Sequence, residues 1–221
     1  MTAKRAQQDA VVLASLPHVT FDGWGMAALK RGATDAGLAE ADAEILFPGG
    51  AKAAIAHFID LSDRLMIEDF ATHDISKLKH REKIALIVRL RLQRWTAQRD
   101  AIRRALALAP LPSMAGSALQ GWYSTVDVMW KTIGDKSIDF SFYTKRALLA
   151  GVYGSTLLYW LNDKSADCEA SWVFLDRRID NVMQIPKLRA RVMERLERLP
   201  LARRVSAHLT TIVQGRPSVP K

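Results

Sequence analysis

Apolar residues return at intervals of three and four almost throughout this 221-residue chain, and strict apolar/polar alternation bounded by turn residues hardly appears. Side chains three and four apart share one face of an α-helix, whereas alternation makes a face on a strand, so the chain buries its apolar residues as packed helices. The pattern predicts an all-α protein with helices over 3–15, 23–36, 39–46, 50–70, 79–95, 97–108, 113–132, 140–162, 166–184 and 187–213. The breaks between them fall at Pro17, Gly37, Pro48 with Gly49 and Gly50, Pro110 with Pro112, Gly134, Asn162 with Asp163, and Pro186. Ser113 and Ser165 each stand just before a periodic run and read as N-caps. With 49% apolar and 25% charged residues, the chain has the composition of one soluble domain, or one domain with a small attachment.

The most apolar stretch, Ala147–Leu161, has fifteen residues. A spanning helix needs about 20, so this is a buried helix and any membrane role is peripheral. A single cysteine, Cys168, excludes an internal disulfide and fits a reducing compartment. Near the N-terminus, Lys4, Arg5, Gln7, Gln8 and Asp9 precede an apolar run of only Ala10–Leu16, which does not read as an export signal.

The formal charge is +9, which asks for an anionic partner such as nucleic acid or a membrane surface. The charge is unevenly placed. Through Gly50 four basic residues face six acidic ones, whereas Lys77–Arg104 holds ten basic residues against Glu82 and Asp100, and Lys187–Arg204 seven against Glu194 and Glu197. The first three helices, with Gly37 between the second and third, have the proportions of a helix-turn-helix. A DNA-reading second helix needs cations or amides to meet phosphates and bases. Here that helix carries Glu40, Asp42 and Glu44 and no basic residue, which reads as a structural head without nucleic-acid binding.

No P-loop, GxGxxG, GxSxG or HExxH pattern occurs, and His18, His57, His73, His80 and His208 are scattered. Asp69 and His73 share one helix face and could share a metal, but without partner carboxylates they read as a surface polar pair. Cys168 has no basic helper close in sequence and reads as a packed thiol. Asp139, Tyr143 and Lys145 form the one cluster a hidden hydrolase or transferase would use. The expectation is no enzyme, no metal and no cofactor.

Within Ser113–Met183, three blocks follow in order: VDVMW with GDKS-x-DF, YTKRALLAGVY with LNDKS, and W-x-FLD-x-RI. Their order and spacing resemble the ubiquinone-biosynthesis (coenzyme Q) lipid-binding accessory protein family, the partner of the demethoxyubiquinone hydroxylase. A weaker likeness, GWGMAALKRGATDAGL then LFPGGAKAAIAHF, extends the resemblance over most of the chain. It implies a tetracycline-repressor-like helical fold whose degenerate helix-turn-helix head has lost DNA binding and whose body binds lipid. The implied function is non-catalytic: isoprenoid quinone precursors are bound and presented to the membrane-associated hydroxylase. The implied partner patch falls on Asp127, Met129, Asp139, Phe142, Tyr143 and Arg146, where Phe142 replaces a tryptophan of the animal members. Phe142 and Tyr143 read equally as the first core turn of the long helix. Animal members also carry a transit segment, and its absence here implies a bacterial cytoplasmic protein.

On the long helix, Leu148, Leu149, Val152, Tyr153, Thr156, Leu157 and Trp160 recur at helical spacing, an apolar face wide enough for an isoprenoid quinone or phospholipid ligand as well as a neighbouring helix. Gly151 and Gly154 leave room for either. After Pro186, the residues Leu188, Val192, Met193, Leu196 and Leu199 line one face of a helix whose other faces carry Arg189, Arg195 and further cations, the form of an interfacial membrane helix or of one packed on its own domain. The expected organisation is a head over 1–50, a lipid-binding and dimerisation body over 51–185, and a C-terminal amphipathic membrane helix and tail over 186–221. The resemblance suggests a homodimer paired through residues 140–184, peripheral on a bacterial inner membrane. The rival expectation is a repressor-family transcriptional regulator responsive to a lipid or quinone.

Overall fold

The computed structural model describes the backbone of residues 2–135 and 140–197 and the side chains within them except those of 140–142 and 185–197. Nine α-helices are described: α1 Ala3–Asp22, α2 Met26–Asp35, α3 Glu40–Leu46, α4 Ala51–Ala71, α5 His80–Gln93, α6 Arg99–Leu108, α7 Pro112–Thr132, α8 Phe140–Trp160 and α9 Glu169–Glu197. Short 3-10 turns, Thr96–Gln98 and Ala166–Cys168, precede α6 and α9, and no strand occurs among the described residues. The all-helical expectation is met.

Two expected breaks do not occur. α1 runs through Pro17 and ends at Gly23, whose φ of 71° lets its N–H bond Val19 at 3.0 Å. Pro17 sits on the exposed side, so water can take the carbonyl it orphans, while Val11, Val12, Leu16 and Val19 are buried on the opposite face. The backbone of α9 likewise stays helical through Pro186, where a break was expected. Ser113 is not an N-cap, because Pro112 takes the first helical position with its preset φ and puts Leu111 at the cap. Ser165 does cap, its Oγ accepting the Ala170 N–H at 3.0 Å. The expected helix 187–213 continues into residues outside those described.

By compactness the chain divides into Met1–Asp176 and Arg177–Lys221. In the first unit α1 packs on α2, α3, α4 and α6, and α7 on α4, α5 and α8. Specific polar contacts fix these pairings. Asp9 of α1 accepts from Arg64 at 2.6 Å and contacts His57 at 2.7 Å, both on α4, and the Trp24 indole donates to the Ala101 carbonyl of α6 at 2.8 Å. Phe58 lies between Trp24 and Trp95, with centroids 5.6 and 4.8 Å away. The second unit is described as helix as far as Glu197, with side chains as far as Gln184.

Candidate functional site

Where α4 to α8 meet, the helices enclose a cavity of about 360 Å³. It arises because the facing positions are small: Ala56 on α4, Ala105 on α6, and Ala118 and Gly121 on α7. Around them Ile55, Ile59, Leu92, Ile102, Leu106, Met114 and Leu157 supply an aliphatic lining, and Phe58, Trp95, Trp122 and Tyr153 aromatic walls. Two close approaches set its shape. A Cβ on Gly121 would stand 3.0 Å from Ile59 Cδ1, and one on Gly154 would stand 2.9 Å from Trp122 Cζ2, so both crossings require glycine or a shift. Lys52, Ala56 and Leu119 are exposed and mark the mouth; Phe58, Arg91, Leu92, Trp95, Thr125, Tyr153 and Leu157 are buried and mark the closed end.

The closed end is polar on one side. Arg91 Nη2 lies 3.1 Å from Asp63 Oδ1, with each side chain under a tenth exposed. Thr125 Oγ1 donates to Asp63 Oδ2 at 3.1 Å. The Tyr153 ring stacks on Trp122 with centroids 4.8 Å apart. Burial pushes the Asp63 carboxyl above the usual carboxylate range, against the pull of Arg91 and Thr125. Burial also pushes the Tyr153 phenol up, so it stays protonated. The Arg91 contact is ionic rather than a well-aligned hydrogen bond, since Asp63 Oδ1 receives no donor and Arg91 Nε finds no acceptor. Trp95 Nε1, also closed off from solvent, has no acceptor either.

Of the seven α8 positions expected to meet a lipid, Tyr153 and Leu157 line this cavity. Leu149, Val152, Thr156 and Trp160 are buried in the helical core, and Leu148 is half-buried. Most of the cavity therefore comes from α4 to α7, whose walls the sequence reading did not name. One signal pointed there: Ala105 on α6 and Ala109 just past its end are small apolar residues one turn apart, too slight to fill the space opposite them.

The expected partner patch is partly interior. Met129 is fully buried and Arg146 4% exposed, held by Asp127 Oδ1 at 2.7 Å, while Tyr143 is exposed. Asp139 lies outside the described residues, as does the side chain of Phe142. Leu188, Arg189, Val192, Met193, Arg195 and Leu196 fall on the backbone of α9 with their side chains outside the description, and Leu199 lies beyond it.

Several motif residues hold the frame. Asp163 of the LNDKS block accepts from the backbone and hydroxyl of both Ser165 and Ser171, at 2.5 to 2.8 Å. Burial would raise its carboxyl, but those hydrogen bonds outweigh it and hold it at about 2. Cys168 is buried and receives an N–H from Arg99 at 2.6 Å. Asp69 is taken by Arg94, and among the described residues no group of three or more metal-ligating side chains gathers.

Residues 115–186 match the COQ9 family model. The chain is 31% identical over 185 residues to the human ubiquinone biosynthesis protein COQ9, mitochondrial, covering 80% of this chain and 58% of that one. It is 32% identical over 191 residues to the Drosophila melanogaster protein of the same name, covering 83% and 58%. The chain thus spans less than two thirds of the length of these curated relatives. Among solved structures, a TetR transcriptional regulator from Nitrosomonas europaea superposes with a TM-score of 0.65 at 15% identity, over 80% of this chain and 98% of that one. The repressor-like fold is thereby established.

Proposed function

We propose, from the match of residues 115–186 to the COQ9 family model and the likeness to COQ9 proteins over four fifths of the chain, that this protein belongs with them and is a non-catalytic, lipid-binding accessory protein of ubiquinone biosynthesis. It holds an isoprenoid quinone precursor in the cavity between α4 and α8 and presents it to a membrane-associated hydroxylase acting on demethoxyubiquinone. The observation that carries this reading is the cavity, apolar over most of its wall and open at one end. Each buried CH₂ contributes roughly 0.8 kcal/mol, so one five-carbon isoprene unit contributes about 4. Association costs roughly 4–15 kcal/mol, so two isoprene units exceed the low end of that cost and about four match the high end, without any hydrogen bond.

The protein works at a membrane surface, peripherally and, in a bacterium, on the cytoplasmic face of the inner membrane. No helix among the described residues is long and apolar enough to cross a membrane. The cations of Lys187–Arg204 exceed its acids by five, and each near an anionic leaflet contributes roughly 1 kcal/mol. A homodimer forms through α8 and the start of α9, where Leu158 and Val173 are exposed beside the stacked pair of Tyr159 and Phe174. The hydroxylase docks on the surface around Tyr143 and Asp127, with Arg146 and Met129 holding that surface from beneath.

Mass spectrometry of lipids extracted from the purified protein tests the assignment. Enrichment of isoprenoid quinones or their precursors over the host membrane supports it, and recovery of bulk phospholipid alone overturns it.

A further inference from the structure

From Ala105 to Val126 the chain carries no charged side chain, the longest such run in the sequence. It takes in the end of α6, the corner Pro110–Leu111–Pro112 and most of α7. Leu111, Ala115, Leu119 and Tyr123 follow one another four apart, so they form a stripe along α7. All four are exposed, and Leu119 is 71% exposed. Leu119 also belongs to the mouth of the cavity, so the stripe runs along the rim of that opening. A continuous apolar strip left in water marks an interface.

Charge and backbone together say what covers it. Among the described residues lining the cavity there is no carboxylate; of the two charged ones, Arg91 is buried against Asp63 and Lys52 stands exposed at the mouth. An anionic surface brought to this rim meets attraction and no opposing acid. The corner also dehydrates at little cost. Pro110 and Pro112 have no N–H, and the N–H groups of Ala109, Leu111, Met114 and Ala115 are already bonded to backbone carbonyls at 2.8 to 3.2 Å, so these positions give up no hydrogen bond to water. Proline on either side holds Leu111 extended, with φ −63° and ψ 138°, so little freedom is lost when it is fixed against a partner.

We propose that the α6–α7 corner and this stripe are a second membrane contact, separate from the C-terminal basic segment. Leu111, Leu119 and Tyr123 sink into the boundary between headgroups and acyl chains of an anionic leaflet, and Lys52 meets lipid phosphate beside them. The mouth of the cavity is thereby sealed against the bilayer, and a hydrocarbon chain passes from the leaflet past Leu119 without crossing water. This rests on the peripheral-membrane reading above and adds which surface of the helical body meets the lipid.

Cys168, the chain's single cysteine, is buried, so a Leu111→Cys variant of the full-length protein takes an environment-sensitive nitrobenzoxadiazole label at position 111. On vesicles of phosphatidylcholine with about a third phosphatidylglycerol, the label should shift to the blue and be quenched by lipids bearing a nitroxide on the acyl chain. A second variant joins Leu111→Ser to Leu119→Gln. Serine is a better N-cap than leucine and glutamine is a good helix former, so this protein should melt as the parent does, yet partition onto the vesicles about tenfold less. A label that stays in water while the protein floats with the vesicles, or a double variant that partitions like the parent, overturns this contact and leaves the C-terminal reading standing. A changed sedimentation coefficient of the double variant without vesicles would make the stripe an interface between copies of the chain and overturn it as well. Failure of the unaltered protein to bind the vesicles overturns the peripheral-membrane reading together with this one.

Discussion

Gly151 and Gly154 stand three apart on α8, yet a methyl group at Gly151 would meet nothing within 4 Å, and one at Gly154 would strike the Trp122 ring at 2.9 Å. Gly151→Ala should therefore stabilise the fold by about 0.5–1 kcal/mol, the ordinary cost of glycine inside a helix. Gly154→Ala gains the same helix propensity but pushes Trp122 off Tyr153, and should come out destabilised by about 1–2 kcal/mol. Calorimetric melting of the two variants checks the difference, and equal shifts would contradict this packing. Asp163 gives a pH test. Its carboxyl is held at about 2 in the fold against an ordinary 3.8, so its contribution is present above 3.8 and fades as pH falls towards 2. Asp163→Asn should lower the urea midpoint near neutral pH and lose less between pH 4 and 2 than the parent, because Asp9, Asp60 and Asp127 are also held low and decline in both proteins.

At the scale of elements, α3 presents Glu40, Asp42 and Glu44 where a DNA reader would carry cations, and Glu44 also engages Lys30 of α2 at 2.7 Å. The expected result of a gel-shift assay at physiological salt is no retardation of duplex DNA; a specific shift abolished by altering residues 39–46 would favour a regulator instead. For the C-terminal basic segment, truncation after Gln184 should reduce flotation with anionic liposomes, and unchanged flotation would remove it as the membrane contact. Helix positions were legible in the chain because the three-four period is local information, and α3, α4 and α7 fall within about a residue of expectation. Pro17 misled because a proline removes one hydrogen bond but does not decide the helix by itself. Four buried apolar residues on the opposite face of α1 outweigh a loss that falls on the solvent side.

The whole molecule explains where the charge of Lys77–Arg104 goes. Arg91 pairs with Asp63, Arg94 with Asp69, Arg103 with Asp100, and Arg99 and Arg104 donate to the carbonyls of Asp163 and Thr20. Arg89 lies over the Trp172 ring at 5.2 Å. Much of that positive charge is thus structural cement among helices, which strengthens the case for the Lys187–Arg204 segment as the membrane's partner. The cavity was not legible in the same way. A void is what packing leaves between segments far apart in the chain, as Asp63 and Thr125 are, so no single helix pattern announces it; the α8 stripe supplied two of its residues and α4 to α7 the rest. The most direct test fills that void. Ala105→Trp places an indole in the cavity from α6, away from the ion pair, and should leave helical content intact by circular dichroism while isoprenoid lipid co-purifying with the protein falls to background. A folded Ala105→Trp protein that still carries the parent's full complement of isoprenoid lipid would contradict the account.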